Sequence, residues 1–296
     1  MWKPCLVLAT VTLLLTPGPA AACATCACGD PTLTSMGTEQ PFAGRLRLAT
    51  TMRAWGLTSG ATQDTAVSLR ELRMDVSAAY VPLSWLTLAA TMPLQTRTVR
   101  EVSLAQEQGW GFGDLEVSAR ATVFRDRGFA PNHLLSLLAG AELPTARTLK
   151  DAQGRPLSLD AQLGSGSVDP FAGLAYTGFQ DEWSFLVSAT GYLPTRGRED
   201  FRGGASLRTT LAAQYQPKAR WALRLAVDTR LEGHSDTLGV SEPEGSGFIG
   251  FLSPDVLFSP TLDMVLQLGV RVPVLNRLTG YVRQAPILQA AFVYDL

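Results

Sequence analysis

Leu262-Asp-Met-Val-Leu-Gln-Leu-Gly-Val-Arg-Val-Pro-Val274 places an apolar side chain at every even position, from Leu262 and Met264 to Val272 and Val274. The odd positions carry Asp263, Gln267, Gly269, Arg271 and Pro273, with Val265 the one large apolar residue among them. Successive side chains of a strand point to opposite faces, so such a strand has one oily face and one mixed, charged face. Its length, roughly 40 Å, becomes the thickness of a bilayer's hydrocarbon core at a tilt of about 45°. Ordinary globular strands stop at about 5–6 residues. The stretch predicts a strand that meets lipid.

The same period of two recurs along the chain. Leu46, Leu48 and Met52 oppose Arg45, Arg47 and Arg53; Leu72, Met74 and Val76 oppose Glu71, Arg73 and Asp75. Leu115 and Val117 oppose Asp114, Glu116 and Arg120, and Leu223, Leu225 and Val227 oppose Arg224, Asp228, Arg230 and Glu232. Leu86, Leu88, Ala90, Met92 and Leu94 oppose Thr87, Thr91 and Gln95, and less regular segments lie near 131–147, 165–179, 183–195, 201–216, 245–258 and 283–296. About twelve strands result, an all-β transmembrane antiparallel up-and-down barrel over 43–296. Short turns (81–84, 180–182, 216–220, 259–261) alternate with longer loops, as short periplasmic turns alternate with outer loops in outer-membrane barrels. Aromatics bracket the short turns: Tyr80 and Trp85, Phe179 and Trp183, Tyr215 and Trp221, Phe258. That is the placement of an interfacial girdle. Pro93, Pro144, Pro194 and Pro273 recur near the outer ends of alternate strands, where proline's missing N–H predicts that pairing stops.

Residues 1–22 have a basic start, an apolar run from Leu6 to Leu15 and small residues to Ala22, the pattern of a secretory signal peptide. Charged residues make up only 17% and net charge is -1, which excludes a basic nucleic-acid protein. Residues 23–42 form an expected periplasmic segment holding Cys23, Cys26 and Cys28. Lipidation of Cys23, a disulfide with one thiol left over, and a copper or zinc site compete for these cysteines. Three sulfurs without a nearby His leave a closed tetrahedral metal site incomplete, so no cofactor is otherwise expected.

Gly111-Phe-Gly-Asp-Leu-Glu-Val-Ser-Ala-Arg120, Leu143-Pro-Thr145, Leu163-Gly-Ser-Gly-Ser-Val-Asp-Pro-Phe-Ala-Gly173 and Val272-Pro-Val-Leu-Asn-Arg-Leu-Thr-Gly280 resemble one family. It is the outer-membrane β-barrel family named for the meta-pathway of phenol degradation. The resemblance covers most of 43–296 and implies a transporter of small, often aromatic or hydrophobic compounds. Leu288–Leu296 also looks like the closing strand of outer-membrane proteins, although Leu296 stands where Phe is common.

No enzyme is expected. His133 and His234 are the only histidines, and His234-Ser235-Asp236 cannot converge because neighbouring strand residues face apart. What remains is the inward face. Arg45, Arg47, Arg53, Arg73, Arg120, Arg208, Arg224, Arg230 and Arg271 share the lumenal parity with Glu71, Asp75, Asp114, Glu116, Asp228, Glu232 and Asp263. An arginine on the lipid face at mid-membrane costs about 2–4 kcal/mol, which fixes this register. These charges would set a pore's field or pair across a filled lumen. The expected partners are outer-membrane lipids, small solutes and the barrel-assembly machinery, and no nucleic acid. The competing expectation is a non-conducting structural or metal-related barrel whose residues 23–42 act as tether or plug.

Overall fold

The computed structural model describes residues 43–60, 66–101, 105–128, 131–218, 220–261 and 263–296. The expected signal peptide, the segment 23–42 with its three cysteines, and Leu262 lie outside these. Seventeen strand segments run in chain order: β1 Leu46–Ser59, β2 Val67–Leu83, β3 Leu86–Arg100, β4 Gln106–Phe112, β5 Leu115–Arg125, β6 His133–Leu143, β7 Asp169–Gln180, β8 Trp183–Tyr192 and β9 Phe201–Arg202. They continue with β10 Ser206–Lys218, β11 Trp221–Glu232, β12 Ser235–Thr237, β13 Val240–Glu242, β14 Gly247–Thr261, β15 Met264–Leu278, β16 Val282–Gln284 and β17 Ile287–Asp295. Taking β4 with β5 and β16 with β17 as single broken strands, twelve antiparallel strands pair with their neighbours around a closed barrel. β1 pairs with both β2 and β17, which removes the edge. Beyond the rim, β13, β12 and β9 form a small sheet of outer-loop segments.

Two of the hairpins turn in two residues, at 84–85 and 181–182, and two more close on the pairs Lys218↔Trp221 and Thr261↔Met264. The fifth turn at this end, between β5 and β6, is longer and is clasped by Asp126, whose carboxylate accepts the backbone N–H of His133 at 3.0 Å. That hydrogen bond holds the Asp126 carboxyl below the usual range.

The parity read from sequence holds around the wall. Leu48, Leu72, Val76, Leu88, Leu137, Leu211, Leu225, Val227 and Leu268 are exposed on the outer face, while Arg53, Glu71, Asp75, Asp228, Arg230 and Arg271 are buried inside. The girdle is present at the short-turn end, where Trp183 packs tilted against Tyr215 at 4.8 Å and Trp221 against Phe258 at 4.5 Å.

Two expectations need correction. β15 starts at Met264, so Asp263 sits in the exposed turn and not on the lumen wall. Nor do β3 and β15 stop at their prolines. Pro93 lies where β3 changes partner from β5 to β4, and Pro273 lies beyond the last β15–β17 pair, Arg271↔Ile287. A proline there loses no ladder bond, so both strands run on, β3 between β2 and β4 and β15 against β14 alone. Pro144 and Pro194 do fall just past the ends of β6 and β8.

Leu225 faces outward in the middle of β11, between Ala213 and Pro254. Leu225→Arg should lower folding stability in lipid vesicles by about 2–4 kcal/mol, measured by denaturant titration with heat-modifiable gel migration as the readout.

Candidate functional site

The lumen is built in three layers. At the short-turn end, Ala222 and Leu257 are fully buried against Val265, the odd apolar residue of β15. Arg45 and Arg47 both reach Asp295 here, Arg47 Nε at 2.7 Å.

The middle layer is a chamber of about 160 Å³. Its lining holds six arginines, Arg53, Arg73, Arg120, Arg208, Arg224 and Arg271, against four carboxylates, Asp75, Glu116, Asp228 and Asp255, an excess of two positive charges. Asp75 bridges Arg53 and Arg73, which stand directly opposite each other on β1 and β2 and would repel without it. Asp228 accepts from Arg271 Nη2 at 2.8 Å, Ser253 Oγ at 2.6 Å and Thr210 Oγ1 at 2.7 Å. Arg208 lies 4.0 Å over the Tyr192 ring. Buried charges this well satisfied hold the wall in one arrangement, since removing either partner strands the other.

The outer layer is closed by a segment that sequence parity did not reveal. The loop between β6 and β7 folds inward and places Leu149, Leu157 and Ala161 against Trp55, Leu57, Leu69, Val99, Ile249, Phe251, Val282 and Ile287. Arg97, buried and paired with Glu71 at 2.7 Å, donates to the carbonyls of Gln162 at 2.6 Å and Asp160 at 3.2 Å. Gln95 donates to the Leu163 carbonyl. Gln162 folds the loop on itself, accepting from the Leu149 N–H at 2.9 Å and donating to the Leu157 carbonyl at 2.9 Å. Asp114 accepts the Ala146 N–H at 2.8 Å, and Arg198 donates to the carbonyls of Gly164, at 2.6 Å, and Ala146. Glycines make the close approach possible. A Cβ on Gly109 would lie 2.6 Å from the Ala161 carbonyl, and one on Gly113 2.8 Å from that of Leu163. The two most distinctive sequence blocks, around Gly111–Arg120 and Leu163–Gly173, therefore meet here.

The residues expected in the lumen divide by height. Arg53, Arg73, Asp75, Glu116, Arg120, Arg208, Arg224, Asp228 and Arg271 line the chamber. Arg45 and Arg47 sit below it. Glu71 and Asp114 hold the loop, and Arg230 pairs with Glu232 at 3.1 Å. Asp255 also lines the chamber, unsignalled by a strand whose inward positions include Ile249, Phe251 and Leu257. Glu116, Glu142 and Asp169 fall side by side across β5, β6 and β7. His133 bonds the Tyr176 hydroxyl at 2.7 Å. His234 stands 3.4 Å from Ser241 Oγ, while Asp236 pairs with Arg196 at 3.0 Å. No carboxylate among the described residues orients either imidazole toward a serine.

No protein-family model matches the chain, and no curated protein matches it by sequence. An outer-membrane channel from Pseudomonas putida F1 is similar in structure, with a TM-score of 0.67 and 15% identity, the match covering 89% of this chain and 100% of that one. The chain has the fold of an outer-membrane β-barrel. Two looser matches are the monoaromatic hydrocarbon channel CymD, TM-score 0.46, 12% identity over 96% of this chain and 98% of its own, and a domain of an autotransporter. The latter is the translocator of NalP from Neisseria meningitidis, TM-score 0.48, 12% identity over 87% and 90%.

Gly109→Ala should push the inward loop off β4. In a chain whose native cysteines are replaced by serine, Leu157→Cys, buried in the wild type, should react with a maleimide faster by about tenfold or more once Gly109→Ala is added. That factor corresponds to a loss of about 1.4 kcal/mol of docking, the low end for overpacking.

Proposed function

We propose that this protein is an outer-membrane channel or transporter for small solutes, hydrophobic or aromatic ones among them, working without an energy source of its own. The chamber carries this reading. Small barrels fill with side chains, yet this one keeps about 160 Å³ open among inward charges. Charged rings of this kind select solutes by field and by size. The blocks resembling the phenol meta-pathway family support the same reading, as does the likeness to the Pseudomonas putida barrel, which is itself described as a channel. Its partners are then outer-membrane lipids and solutes, with the barrel-assembly machinery acting on the chain during biogenesis.

A second reading is a non-conducting structural or metal-related barrel. It is favoured by the apolar layers on either side of the chamber, where Ile249, Leu257 and Val282 are fully buried. Residues 23–42 would then be a tether or plug, with copper or zinc at Cys23, Cys26 and Cys28. Micromolar binding of either metal to the reduced protein is its requirement.

Conductance in planar bilayers separates the two. The channel reading expects ion flow from the full chain, or from chains lacking residues 23–42 or with 147–162 replaced by a short Gly–Ser link. Silence in all three would sink it. Where current flows, Arg224→Gln should lower the preference for anions, read from the reversal potential in a salt gradient.

A further inference from the structure

The chamber has two unlike halves. β1, β2, β10, β11 and β15 supply most of its charge, whereas β6, β7 and β8 supply Leu138, Phe171, Leu186 and Tyr192. Arg120 stands at the boundary. It lines the chamber from β5 and pairs across the ladder with Leu138. Among the described residues its guanidinium makes no hydrogen bond or ion pair, unlike Arg53, Arg73 and Arg271, which carboxylates hold. A guanidinium presents five donors in a plane, and one enclosed in a lumen with those donors unengaged is destabilising until an anion or water fills them.

The apolar surface beside it is aromatic. Phe171 lies across Gly140, next to Leu138 on the inward face of β6, in a gap that a Cβ on Gly140 would close. Its ring packs 5.0 Å from that of Tyr192. The volume, about 160 Å³, is that of one small ring, since a dry cavity of about 150 Å³ accommodates benzene. A carboxylate matches the fork of an arginine in two parallel hydrogen bonds. The chamber's excess of two positive charges favours an anion over a neutral or cationic solute. Four residues before Arg120 on β5, Glu116 begins a row of carboxylates that continues through Glu142 and Asp169.

We propose that the chamber binds a small aromatic monocarboxylate, with its carboxylate on Arg120 and its ring against Phe171 and Leu138. This deepens the channel reading and rests on it for its physiological meaning, but the binding itself does not require conduction. The solute selected would be an aryl acid, held by charge at one end and by an apolar wall at the other.

The test is a titration of the full chain in detergent with para-fluorobenzoate, followed by fluorine NMR. Saturable binding is expected, displaced by benzoate and by neither fluorobenzene nor benzylamine. Arg120→Gln should weaken it by about tenfold or more, the scale of one hydrogen bond to a charged group, and Arg120→Lys by less. Heat-modifiable migration verifies that each variant folds. Equal affinity for fluorobenzene and fluorobenzoate would overturn the proposal, and so would a folded Arg120→Gln that binds as well as wild type. The comparison of charged with neutral probes uses the wild-type chain and stands even where a variant fails to fold. Binding without conductance would leave this site and remove the channel; conductance without benzoate binding would do the reverse.

Discussion

Leu46 and Leu296 exchange backbone hydrogen bonds of 3.2 and 2.7 Å, and with them the last open edge of the sheet disappears. In hydrocarbon each unpaired N–H or C=O costs several kcal/mol, so a sheet that spans a membrane must close. Closure forces one face of every strand to lipid and the other to an enclosed lumen. The charged side chains that line the chamber are thereby confined to a narrow interior. That confinement explains the ion pairs: Asp75 between Arg53 and Arg73, and Asp228 under Arg271, are what allow like charges to share so small a space.

The wall was legible in the sequence because lipid imposes a strict period of two. A misplaced arginine is costly enough that Arg47, Arg53, Arg224 and Arg271 declare the inward face by themselves. The strand count, the alternation of turns and the aromatic girdle follow from the same solvent. Where the solvent stops dictating, the pattern stops informing. Trp55, Leu57, Leu69, Ile249, Phe251 and Leu257 are inward and apolar, so their segments look oily on both faces.

The inward loop was illegible for a related reason. Nothing local distinguishes Arg97 or Gln95 from any other lumenal polar residue, yet they bind carbonyls of a segment more than sixty residues away in sequence. Its apolar side chains are few and irregularly spaced, and its docking depends on the space left by Gly109 and Gly113. Only in retrospect do the glycine-rich blocks at 111–114 and 163–167 make sense, as two surfaces shaped for each other. Asp263 was misplaced by two residues of strand boundary, the smallest shift that moves a carboxylate from the wall into a turn.

The seam between β1 and β17 has a consequence for how the molecule is made. It joins positions at opposite ends of the chain, Arg45 to Asp295 across 250 residues, whereas the other wall pairs join consecutive strands. Eleven of the twelve strand contacts can form as each hairpin arrives, but the last must wait for the final residues. Until then the sheet carries two raw edges, each able to pair with any strand it meets. The barrel's permanence in the membrane therefore begins with the C-terminal strand: it is the latch, and everything before it is provisional.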